Sequence, residues 1–134
     1  MDIKIKKKNI LTRENVLESS KLNNSGLSLK QAEFLFKILE DTFGEVLMPD
    51  NEELADSSKI HPIYWMLIDY TGKELRNLFQ LSLEISIVKN IPNHETVLKE
   101  IIKTDKYVGR RAEIYFGARI RTATPDVKFL PKIR

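Results

Sequence analysis

Ser28-Leu29-Lys30-Gln31-Ala32-Glu33-Phe34-Leu35-Phe36-Lys37-Ile38-Leu39-Glu40-Asp41-Thr42-Phe43-Gly44 is the stretch whose reading decides the fold. Ser28 and Gln31 stand at capping-box spacing, so each side chain can satisfy a backbone N–H of the other at a helix start, and Leu27 is placed to staple the first turn. Leu35, Leu39 and Phe43, with Ala32 and Ile38, recur at helical spacing and form one apolar stripe. Gly44 supplies the stop, because glycine adopts positive φ without a Cβ penalty. Phe34 and Phe36 flank the stripe on both sides, which implies a helix buried over more than half its circumference.

The same signals recur further along the chain. Pro62 suits a first helical position because its missing N–H costs nothing there. The apolar residues Tyr64, Trp65, Met66, Leu67 and Ile68 that follow it predict a central, buried helix. Thr71 and Glu74 repeat the capping-box spacing ahead of Leu75, Leu78 and Phe79. From Leu81 the pattern divides, since Leu81, Leu83, Ile85 and Ile87 alternate as in a strand while Leu78, Leu81, Ile85 and Val88 fit a helical stripe. The lead-in from Lys73 carries no turn residue and favours one long helix. Pro92 ends it, and Asn93 is expected to cap a helix bearing Val97, Leu98, Ile101 and Ile102, ending near Lys103 and Lys106. A last helix is expected from about Lys106 to Ile120, then a Thr124-Pro125-Asp126 turn, then a short strand at Val127 and Phe129. Upstream, Thr12 is read as capping a short helix with Val16 and Leu17, and Ser19 to Gly26 as a loop. Pro49 to Glu53 reads as a turn into a short helix.

The reading is therefore mainly α: one helical bundle of five to six helices over residues 1–134, with residues 1–10 a basic disordered tail and a short terminal strand. The alternative is α+β. A chain of 134 residues, 42% apolar and 31% charged, is one domain's worth. No apolar run approaches the ~20 residues that span a bilayer, so no membrane partner is expected and the default compartment is cytoplasmic. The absence of cysteine removes disulfides and thiolate chemistry. Net charge is +3, with cations gathered from Lys4 to Arg13 and from Lys99 to Arg134. Acids gather between Glu40 and Asp69. Such a dipolar molecule has one end suited to an anionic partner.

Chemistry-bearing residues concentrate in the last quarter. Arg111, Tyr115 and Arg119 lie one turn apart on a single helix face, with Tyr107 continuing the row. With Arg110 and Arg121, and with Lys128, Lys132 and Arg134 beyond, they form a surface able to contact the phosphates of DNA or RNA. Glu113 on that helix, followed by Pro125-Asp126 opening the expected strand, resembles the entry to the PD-(D/E)xK nuclease core over about residues 107 to 130. The resemblance implies that Glu113 and Asp126 are metal ligands for Mg²⁺, which takes hard carboxylate oxygens, and that Lys128 polarises the attacking water. The family places its acid-x-Lys on a further strand, which does not appear before Arg134. The expectation is thus a nucleic-acid-associated domain, the N-terminal part of a nuclease-like protein and not catalytic alone, with no cofactor required and Mg²⁺ the ion its two acids would take.

The bland readings stand beside these. Glu113 pairs with Arg110 or Lys106, Asp126 forms a turn, and the cations are a solvated face. His61 and His94 read as capping or turn residues, since no second ligand stands at metal spacing to either. Trp65 reads as core. The rival function is a helical protein-interaction or regulatory module using the acidic middle segment or an apolar surface.

Overall fold

Helix α4 (Leu75–Val88) organises the fold, because its apolar residues recur on two faces and must be covered on both. The computed structural model describes residues 19–44, 56, 60–69 and 71–129. Among these, the regular structure consists of six helices: α1 (Ser19–Ser25), α2 (Leu29–Phe43), α3 (Pro62–Ile68), α4, α5 (Glu95–Glu100) and α6 (Tyr107–Ala123). Helix α4 packs against α2 on one side and α6 on the other, touches α1 and α3, and α5 packs on α6. The core joins Leu35, Leu39 and Phe43 of α2, Ile63 and Leu67 of α3, Leu78, Leu81, Ile85 and Val88 of α4, and Ile114 and Ala118 of α6. The mainly helical class is as the sequence predicts.

Helix α2 begins as read. The Ser28 hydroxyl accepts from Gln31 N–H at 3.1 Å, the Gln31 carboxamide accepts from Ser28 N–H at 2.9 Å, and Gly44 ends the helix at φ 42°. The divided stretch from Leu81 is helix throughout.

Elsewhere other contacts, local and tertiary, replace the expected ones. Ser19 to Ser25 is helix rather than loop, closed by Gly26 at φ 76°, whose N–H bonds back to Leu22. Thr71 does not cap α4: its hydroxyl donates to the Asp69 carboxylate and accepts from Lys73 N–H, and α4 starts only at Leu75. Asn93 does not cap α5 either. It turns the chain at φ 69° and its side-chain amide donates to the Phe129 carbonyl at 2.8 Å. Helix α5 ends at Glu100, short of Lys103.

No strand forms among the described residues. Phe129 N–H donates to Pro92 O at 3.0 Å, which with the Asn93 bond ties the chain to the 92–93 turn at one residue instead of along a ladder. Trp65 is 44% exposed while its neighbours Ile63, Tyr64 and Leu67 are buried, so α3 is buried on one face and not all round. The expected tail at residues 1–10, the helix after Thr12 and the turn at Pro49 to Glu53 lie outside the described residues.

A candidate docking face framed by charge clamps

Helix α6 carries every sequence-predicted cation from Arg110 to Arg121, and packing decides which way they point. Ile114, Gly117 and Ala118 face inward onto α4 and the core. Gly117 lets the Phe129 ring lie close across the helix, since a Cβ there would stand 2.9 Å from the tip of that ring. Arg110 and Arg111 flank this inner face, where they meet carboxylates.

Glu84 lies on the buried side of α4, its side chain only 2% exposed. Arg111 donates to one of its oxygens, Arg119 to the other at 3.1 Å, and Gln80 adds a third bond at 2.8 Å. Burial alone would raise the Glu84 pKa, yet these donors outweigh it and hold the carboxyl below its usual value. Glu84 is therefore ionised and satisfied, as a buried carboxylate must be. Arg119 also stacks over Tyr115, its guanidinium carbon 3.8 Å from the ring centre. One turn back, Arg110 is held between Glu100 and Glu113. Its hydrogen bond depresses the Glu100 pKa.

Three guanidinium groups, Arg110, Arg111 and Arg119, thus face three carboxylates, Glu84, Glu100 and Glu113, and the set sums to zero charge. The structure does bring Arg111, Tyr115 and Arg119 together as the spacing implies, but around an acid of the chain itself. Arg121 donates to the Pro125 carbonyl. Glu113 pairs with Arg110, and Asp126 stands exposed in the turn after α6. Glu113 and Lys128 both line the groove described next, whereas Asp126 does not. Among the described residues no group of three or more His, Asp or Glu side chains is placed to hold a metal ion.

Beside the clamped but half-exposed Arg119, the outward side of α6 carries an apolar row. Val108 is 79% exposed, Phe116 60% and Ile120 47%; with the exposed Ala112 they form a row at four-residue spacing. Ala112, Phe116 and Ile120 also make one wall of a groove of about 630 Å³, whose other sides are Ile91, Val97, Val127 and Phe129. Glu100, Arg110, Glu113 and Lys128 are among its polar lining.

The two histidines are structural. His61 Nδ1 accepts from Ile63 N–H at 3.1 Å and caps α3, while Nε2 lies 2.9 Å from Ile101 O. A donor at one nitrogen and an acceptor at the other fix the neutral tautomer protonated at Nε2. Burial lowers its pKa, more than the Ile101 bond raises it. His94 Nδ1 bonds Ile91 O at 2.8 Å.

Sequence reasoning missed Glu84 and the groove. The signal for Glu84 was present: an acid between Leu81 and Ile85 falls on the stripe meant for the core, and a buried acid demands a cation. The groove had no such signal, since its walls come from α5, α6 and the two segments joined at Phe129.

Protein-family models, curated proteins and solved structures were compared with this chain, and none matches. No helix among the described residues is long and apolar enough to cross a membrane.

Proposed function

We propose that this chain is a helical interaction module that docks an apolar protein segment on the outward face of α6 and in the adjoining groove. One observation carries the reading: the exposed side of α6 presents Val108, Ala112, Phe116 and Ile120, while three of the helix's arginines are matched by acids of the same chain. A contiguous exposed apolar surface rimmed by charge is the usual mark of a protein-docking site. A groove of about 630 Å³ adds room for side chains to insert.

The nucleic-acid reading rests on the half-exposed Arg119 stacked on Tyr115, a pair suited to a phosphate or a base. Salt separates the two. Peptides selected against the purified chain from a display library should carry apolar residues three or four apart and lose affinity in Phe116→Asp. Their affinity should hold within about threefold between ~50 and ~200 mM salt, a range over which several phosphate contacts lose orders of magnitude. Tight binding of an oligonucleotide that collapses over this range, survives Phe116→Asp and is lost in Arg119→Ala would overturn the docking proposal in favour of nucleic acid.

A further inference from the structure

The row on α6 is complementary to itself in one direction only. In an antiparallel pairing centred between Ala112 and Phe116, Val108 of one helix meets Ile120 of the other, and Ala112 meets Phe116, so each layer joins a smaller side chain to a larger one and the layers have similar bulk. In a parallel pairing Ala112 would meet Ala112 and Phe116 would meet Phe116, leaving a gap beside a clash. The i, i+4 ridge is also the one that interdigitates in the commonest class of helix crossing.

Two further features favour a like surface as the partner. Gly109, in the first turn of α6 and exposed on this face, has nothing within 4 Å of where its Cβ would stand, so it leaves room for a second backbone to approach closely. Arg119, the cation nearest the row, is bonded to Glu84 and stacked on Tyr115. The cation nearest the row is therefore already engaged within its own chain, and antiparallel helices place opposite dipole ends together.

We infer that the segment docked on α6 is the α6 of a second copy of this chain, the two helices packing antiparallel through Val108, Ala112, Phe116 and Ile120. This inference rests on the docking-face reading and names its partner.

The absence of cysteine makes introduced thiols unambiguous reporters. The purified full chain should sediment as a concentration-dependent dimer. Phe116→Asp, on an exposed side chain, should weaken it at least about thirtyfold while leaving the helical circular dichroism unchanged. Phe116→Ala alone should weaken the dimer, and A112F/F116A should recover it because the swap restores the same layers. On mixing V108C and I120C chains under mild oxidation, the mixed disulfide should exceed either like-with-like product. Preferential V108C-to-V108C linkage, or a dimer indifferent to Phe116→Asp, overturns the inference. A monomeric chain that still binds selected peptides through Phe116 overturns the second copy as partner and leaves the docking face standing. A monomer that binds none removes both.

Discussion

At the scale of single residues, two buried polar groups are held by explicit partners, and each sets a measurable dependence. His61 is neutral in the fold, and its pKa lies below the ordinary histidine value of 6.5 because burial disfavours the charged form. The unfolded chain therefore binds more protons at mildly acid pH, so stability is full above about 6.5 and declines as pH falls through that value. Protonation would also turn Nδ1 into a donor facing the Ile63 N–H. Urea midpoints measured from pH 7.5 to 5.5 should fall in the parent, while His61→Gln should be less stable at neutral pH and show a flatter acid slope. An identical slope in both would assign the titration elsewhere. Glu84 is the second case. Glu84→Gln keeps the shape but leaves Arg111 and Arg119 without their carboxylate, and should cost about 2–3 kcal/mol in a denaturant titration. A loss within a few tenths would mean that the pair contributes nothing net.

At the scale of elements, α2 and α6 obey opposite rules. Helix α2 is locally consistent: its box, stripe and glycine all agree with its surroundings, and Leu35 at its centre is wholly buried. Leu35→Ala should cost about 2–5 kcal/mol, read as a shift of the denaturant midpoint; an unmoved midpoint would take this helix out of the core. Helix α6 departs from the usual amphipathic pattern by carrying an apolar row outward as well as an apolar buried side, with Arg110 and Arg111 flanking the latter. Gly117 shows the inner constraint. Gly117→Leu should expel the Phe129 ring that lies against it, whereas Gly117→Ala sets the gain of about 1 kcal/mol in helix propensity against a shift of the ring tip and should be close to neutral. Hydrogen exchange at Phe129 N–H, bonded to Pro92 O, would report the difference as lost protection in the leucine variant only.

At the scale of the whole molecule, pairing through α6 couples stability to concentration, because association removes folded monomer from the unfolding equilibrium. The melting temperature should rise with protein concentration in the parent and stay constant in Phe116→Asp. Parallel behaviour of the two would sever folding from this surface.

Local chemistry determined the helices whose signals are contained in their own residues. The Ser28 and Gln31 side chains can reach only each other's backbone, and Pro62 can begin a helix because it needs no donor, so α2 and the start of α3 were legible. The uninterrupted run before Leu81 likewise settled α4. Caps failed where another group competed: Asp69, two residues back, took the Thr71 hydroxyl, and the Phe129 carbonyl took the Asn93 amide. The first is a local competitor within reach of spacing, whereas a hydrogen bond across 36 residues depends on how the helices pack. The arginines of α6 show the same limit. Sequence placed Arg111, Tyr115 and Arg119 on one face, but only the apposition of α4 with α6 brought Glu84 to Arg111 and Arg119, cancelling half of their formal charge and leaving the apolar row exposed beside them. The sign of a charge is written in the chain; what it faces is decided by tertiary packing.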